Sequence, residues 1–319
     1  MRGEAVALTA SSCQTAGVST VSASIATPGR LRTYASFVRF EHTLFSLPLL
    51  LAGIFSVPGP ALEWRRWLLV GVAAVGARTA AMALNRLIDR RLDRLNPRTR
   101  GRELPAERMN LGEAWALLAG SSMAYLVACA ALGAWFIRVS WIPLAVFVIY
   151  PYLKRLTPLC HLGVGAALAL APLAGYAAAH PDLARPGPSL WLAGFALAWV
   201  SGFDIIYATL DEVFDRTHGV HSMVAWLGRG PALRVSAVLH LLAFGCLVAL
   251  AFALPAGGGT AGWWPLAATV LLGGAGTLLL LEQRWAENVN LAFFKVNVWV
   301  GFAVLALVLA ARAATPGGL

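Results

Sequence analysis

Residues 67–94 read WLLVGVAAVGARTAAMALNRLIDRRLDR, and their character changes at position 85. The first part is one of the most apolar runs in the chain. The last ten residues, NRLIDRRLDR, carry two aspartates and four arginines. About 20 mostly apolar residues cross the hydrocarbon core of a bilayer as a helix. A charge in or beside that core is costly, so ionisable groups there are functional candidates by default. The stretch therefore reads as a membrane-crossing helix that ends in a polar site, and what that site does depends on whether a second one faces it.

The remainder of the chain supports a membrane setting. Of its 319 residues 59% are hydrophobic and 13% charged, with mean hydropathy +0.70, against about 45–50% apolar and about 25% charged in soluble domains. Apolar runs at roughly 37–57, 66–88, 111–135, 138–153, 161–180, 189–210, 232–254, 263–282 and 291–313 predict an all-α polytopic membrane protein with nine transmembrane helices. The fourth run is short and ends in IYPYLKRLTP, where Pro151 and Pro158 limit helix continuation. One membrane domain, 37–313, is expected between an Ala/Ser/Thr-rich, disordered tail at 1–36 and a short tail at 314–319. The first 36 residues lack the basic start and apolar core of a signal peptide.

The net charge of +10 does not indicate nucleic acid, because the basic residues gather in short connectors between apolar runs, where the positive-inside rule places them. Arg86 through Arg108, between the second and third runs, includes eight arginines. The four-to-five connector has Lys154 and Arg155, and the six-to-seven connector Arg216, Arg229 and Arg234. The alternate connectors hold only Arg65 and Arg66, then Arg138, then Arg185, then none in PAGGGTAGWW. This asymmetry puts the N-terminus and the even-numbered connectors in the cytoplasm. Cys13, Cys129, Cys160 and Cys246 are scattered, with no CxxC, which supports neither a zinc site nor a disulfide framework.

Asn85, Asp89 and Asp93 stand at i, i+4 and i+8, on one helix face. In SGFDIIYATLDEVFDR, Asp204, Tyr207, Asp211 and Asp215 fall at i, i+3, i+7 and i+11, again one stripe. A single DxxxD at a membrane helix end is more often a solvated surface than a site. Two such stripes, both expected on the cytoplasmic side, point to a shared task. Mg2+ prefers carboxylate oxygens and usually binds through one or two of them with substrate phosphates and water. Opposed stripes in an apolar setting suit a substrate with a diphosphate head and a hydrocarbon tail.

These residues carry a resemblance. N-x-x-x-D-x-x-x-D at 85–93 and D-x-x-Y-A-x-x-D-x-x-x-D at 204–215 resemble the two motifs of the UbiA superfamily of intramembrane aromatic prenyltransferases. NPRTRGRELP at 96–105 looks like its N-x-R-T-x-x-R-x-L-P loop, and YPYLKR at 150–155 like its Y-P-x-x-K-R segment. Glu103 departs from the R-P-L-P of many relatives, in a loop expected to act as a cap. The resemblance covers roughly residues 36–313. It implies helices around a central cavity with cytoplasmic caps, in a multi-pass protein of the inner cell membrane.

The resemblance also assigns roles. Asn85, Asp89 and Asp93 would coordinate one Mg2+, and Asp211 with Asp215 a second. Lys154 and Arg155 would donate to the diphosphate. Tyr207 and Tyr150 would stabilise an allylic cation with their ring faces, and Asp204 would orient or activate the aromatic acceptor. Arg39 has two readings, an interfacial anchor or a cavity arginine for the acceptor's acidic group. His161, His218 and His221 lack partners at metal-ligand spacing. FEHTLFSLPLLLAG and FDIIYATLDEVFDRTHGVHSM look most like the 4-hydroxybenzoate branch; a dihydroxynaphthoate acceptor is the alternative. Polyprenyl diphosphate, a hydroxylated aromatic acid and the bilayer are the expected partners, with no obligate protein partner. A secondary transporter would instead place carboxylates near helix midpoints, and a CDP-alcohol phosphotransferase would need a D-G-x-x-A-R signature that the chain lacks.

Overall fold

The computed structural model of the chain describes residues 29–39, 43–59, 61–254, 262–286 and 296–315. Among these every regular element is helical: α1 Arg30–Phe37, α2 Thr43–Phe55, α3 Trp64–Leu95, α4 Leu111–Leu132, α5 Ala134–Val139, α6 Trp141–Leu153, α7 Cys160–Ala179 and α8 Gly187–Ala208. A 3-10 turn at Thr209–Asp211 follows, then α9 Glu212–Thr217, α10 Met223–Leu227, α11 Arg229–Ala253, α12 Trp264–Arg284 and α13 Asn297–Ala313. Seven helical stretches are long and apolar enough to cross a membrane, and Ser46–Phe55 and Asn297–Ala313 are shorter apolar helices. Each of the nine apolar runs overlaps one of these nine stretches.

Local chemistry sets the boundaries. Asn96 caps α3 in an extended conformation (φ −81°, ψ 119°) because Pro97 disfavours helical geometry in the residue before it. Asn110 and Glu113 start α4 with a reciprocal capping box, satisfying two otherwise orphaned amides. The fourth run ends where expected, with Pro151 inside the helix. α6 runs through it to Leu153, and the freed end is tied down where the Arg155 guanidinium donates to the Pro151 carbonyl (3.1 Å).

Successive long helices pack side by side from α3 through α6, α7, α8, α11 and α12 to α13, and α2 lies against α7, α8 and α13. The centre of the bundle is α8, with 67% of its apolar window buried against 17–39% in the other spans. Along it Phe195 stacks on Trp199 and Trp199 meets Phe203 edge to face, at centroid separations of 5.3 and 5.5 Å, in a core shared with α2, α11, α12 and α13. Gly165 lets α7 approach α8: a Cβ there would run into the Leu197 carbonyl and the Ser201 hydroxyl.

The tail boundary needs correction. Residues 30–36, read as the end of a disordered tail, form most of α1. Phe37, fully buried, inserts among Leu87, Leu104, Met109 and Leu118. Arg30 and Tyr34 both donate to Glu113, and Ser36 to Glu103 (2.6 Å). Glu103, the departure in the loop motif, is therefore a buried anchor for α1. The expected tail at 1–28, the start of the last apolar run at 291–295, and residues 316–319 lie outside the described residues.

Candidate active site

At ~1.5 Å per residue the 32 residues of α3 reach about 48 Å, well beyond the roughly 30 Å hydrocarbon core. Its last turns therefore project past the apolar layer, and there the first stripe stands. Asn85, Asp89 and Asp93 from α3 line a cavity of about 220 Å³. The same cavity is lined by Tyr150 and Lys154 from the end of α6, His161 from the start of α7, and Asp204, Tyr207, Asp211 and Asp215 from α8, the turn after it and α9. The two stripes meet at one end of the bundle.

Most of the cavity's carboxylates hold cations. The Lys154 ammonium donates to Asp89, which also accepts from Asn85 (3.2 Å) and Arg155 (3.3 Å). One guanidinium nitrogen of Arg102 donates to both oxygens of Asp93, at 2.7 and 2.9 Å. Arg98 forks onto Asp211, donates to the Tyr207 hydroxyl (2.8 Å), and places its guanidinium carbon 4.8 Å from the Tyr207 ring centre. Asn96 adds a bond to Asp211 (2.8 Å), so the residue that caps α3 also ties the two stripes together. Such charge-assisted pairs are the stronger hydrogen bonds of proteins, and a carboxylate as buried as Asp89, 1% exposed, needs its partners.

The loop 96–110 folds back through consecutive turns, with Thr99 and Arg100 amides donating to the Asn96 carbonyl and the Arg102 amide to that of Thr99. On the opposite rim the Val220 amide donates to the Asp215 carbonyl and the His221 amide to that of Lys154. This second rim rests on α6. Among the described residues no three His, Cys, Asp or Glu side chains converge as a metal cage. The oxygens come instead in ones and twos along each stripe.

Ten of the eleven residues expected at the site are at the cavity or in contact with it. Arg155 is not on the lining but reaches Asp89 and the Ile88 carbonyl (3.0 Å). Arg39 is not brought there: it ends α1 in a left-handed conformation (φ 50°), and its carbonyl accepts from Arg78 (3.2 Å). The expected contact of Arg39 with an acceptor thus finds no support in the cavity's lining, because α1 turns its chain onto the side of α3. Asn96, Arg98, Arg102 and His161 were not singled out by spacing. The first three lie in the quoted loop motif, whose fold-back is the missing information. His161 was set aside as isolated, yet its Nδ1 lies 2.6 Å from Asp204.

Comparison with known proteins identifies the family and the fold. A model of the UbiA prenyltransferase family matches residues 46–313. Two proteins named 4-hydroxybenzoate octaprenyltransferase, from Ralstonia nicotianae and Paracidovorax citrulli, are 30% and 31% identical to the chain, over 88% and 89% of it and 95% of each relative. A UbiA homolog from Aeropyrum pernix K1, solved in apo form, has a TM-score of 0.73 at 34% identity, covering 83% of this chain and 95% of that one. A UbiA homolog from Archaeoglobus fulgidus bound to GPP and Mg2+ has the same fold, with a TM-score of 0.67 at 17% identity over 88% of this chain and 99% of that one.

Proposed function

The chain belongs to the UbiA prenyltransferase family, and we propose that it transfers a polyprenyl group from polyprenyl diphosphate to the ring of a hydroxylated aromatic acid, a quinone precursor of the 4-hydroxybenzoate type. The site would open to the cytoplasm from the inner cell membrane, with residues 30–313 as one catalytic domain. One arrangement carries this function: two carboxylate stripes and the cations Lys154, Arg98 and Arg102 line a single cavity at the end of an apolar bundle. The relatives named 4-hydroxybenzoate octaprenyltransferase support the choice of acceptor.

Asn85, Asp89 and Asp93 would hold one Mg2+, and Asp211 with Asp215 a second. All-oxygen donors, one or two per ion, suit a metal that completes its shell with substrate phosphate and water. Bound Mg2+ supplies charge neutralisation to the departing diphosphate. Lys154, Arg98 and Arg102, which hold Asp89, Asp211 and Asp93, are within a side-chain rotation of donating to diphosphate oxygens instead. Arg155 supports Asp89 from behind. Leu92, Val164, Ala208 and Phe214 supply apolar lining, which would help protect an allylic cation from hydrolysis. Tyr207 holds the Arg98 guanidinium over one face of its ring, and its ring and that of Tyr150 would offer their faces to an allylic cation. Asp204, one turn before Tyr207, would meet the acceptor.

The test supplies membranes that contain the protein with labelled polyprenyl diphosphate and either 4-hydroxybenzoate or a dihydroxynaphthoate, with Mg2+ or with a chelator. The expected outcome is a prenylated acid in the lipid extract that depends on Mg2+. Absence of any prenylated aromatic product with Mg2+ present overturns the assignment.

A further inference from the structure

Asp89, Asp93 and Asp211 hold a lysine or arginine, whereas Asp204 holds an imidazole. His161 is the second residue of α7, with 4% of its side chain exposed against 28% for Asp204. Its Nδ1 lies 2.6 Å from Asp204 Oδ2, and its Nε2 lies 3.2 Å from the backbone nitrogen of Met223. A backbone amide only donates, so Nε2 must accept, and the ring hydrogen must then sit on Nδ1. The imidazole thus donates from Nδ1 to one oxygen of Asp204, and Asp204 itself lines the cavity.

Every atom that fixes this ring is itself held. Met223 begins α10, which Ser222 caps by accepting from the Ala225 amide (3.1 Å). The Ser201 hydroxyl on α8 lies 3.2 Å from the His161 carbonyl, at the close approach that Gly165 permits. The neighbouring Cys160 thiol donates to the His221 carbonyl (3.3 Å). The more usual order in proteins, with a carboxylate orienting a histidine, is inverted: the carboxylate meets the cavity and the histidine stands behind it.

We propose that His161 is the positioning residue that aims Asp204 at the hydroxyl of the aromatic acceptor, and that Asp204 takes the hydroxyl proton as the ring attacks. This rests on the acceptor being a hydroxyarene, as assigned above. As the proton passes to the free oxygen of Asp204, the ring carbon beside the hydroxyl forms a bond to the allylic carbon. The allylic C–O bond breaks, and its electron pair leaves with the diphosphate. The resulting dienone loses its ring proton to a diphosphate oxygen and regains the hydroxyl proton from Asp204. The ring is aromatic again and Asp204 is an anion, ready for the next acceptor. His161 keeps its hydrogen throughout, because Nε2 is committed to Met223.

The experiment uses the full chain in membranes, with Mg2+ and polyprenyl diphosphate, and compares 4-hydroxybenzoate with ring-fluorinated 4-hydroxybenzoates whose phenols are more acidic. His161→Ala is expected to lower turnover of 4-hydroxybenzoate by about 10-fold or more, leaving the KM for polyprenyl diphosphate unchanged. The deficit relative to the unaltered protein should narrow as the phenol becomes more acidic. His161→Asn, whose amide donates from near the Nδ1 position, should restore most of the turnover, and it carries the test by itself if the alanine variant does not fold. A deficit that is equal for every acceptor, or a KM for polyprenyl diphosphate that rises in step, marks a merely structural histidine and overturns the proposal alone. An unaltered protein that prenylates no hydroxyarene overturns the function assigned above together with it.

Discussion

Arg98 is the residue on which the second stripe depends most directly. Its fork holds Asp211, its third nitrogen reaches the Tyr207 hydroxyl, and its plane covers the Tyr207 ring. A lysine keeps the charge but loses the fork and the planar stacking. Arg98→Lys should therefore raise the KM for polyprenyl diphosphate by about 10-fold, equivalent to about 1.4 kcal/mol, with the acceptor KM little changed; kinetics with each substrate varied in turn check this. The aspartates were legible in the sequence because a helix imposes its period on them: Asp89 and Asp93, four apart, share a face whatever packs against it. Their partners were not. Arg98 and Arg102 belong to a loop, where no period relates position to direction, and His161 meets Asp204 only because α7 and α8 pack closely.

At the scale of the element, the apolar runs identified the long helices because lipid demands apolar residues along a helix's whole length. α1 obeys a different rule. Only one side of RLRTYASF is buried, at Thr33 and Phe37, so eight mixed residues carry too little hydropathy to be told from a tail. Tertiary contact decides the outcome. Phe37 fills the space between α3, the 96–110 loop and the start of α4, while Glu103 and Glu113 accept from Ser36, Tyr34 and Arg30. Phe→Ala in a core costs about 3–5 kcal/mol, more than so short a docked segment is expected to spare. Phe37→Ala should release α1 and loosen the loop without unfolding the bundle. The measurement is limited trypsin digestion in detergent: cleavage within Arg98–Arg108 should accelerate, while the thermal midpoint of the remaining helices shifts little. A large fall in that midpoint with no change in cleavage would make α1 part of the bundle rather than a clasp on the loop.

For the whole molecule, the location of chemistry follows from how charge and hydrophobicity are divided between the two ends. The ends of α3, α6 and α8 and the start of α7 gather around one cavity, and the connectors at that end are the ones rich in Lys and Arg. Cationic connectors stay on the cytoplasmic side, so the same residues that orient the chain also supply the cations on the stripes. Arg98 and Arg102 would serve both purposes, which is why one sequence pattern raised an expectation for topology and site together while the pairing inside the site could not be read from it. The orientation is open to direct test in a chain whose native cysteines are replaced. With a membrane-impermeant maleimide applied to spheroplasts, Arg185→Cys in the α7–α8 connector should be labelled in intact cells, and Arg100→Cys in the 96–110 loop only after permeabilisation. The reverse pattern would turn the cavity outward, away from a cytoplasmic supply of polyprenyl diphosphate. Labelling of both in intact cells would mean that the arginine asymmetry does not set the orientation of this bundle.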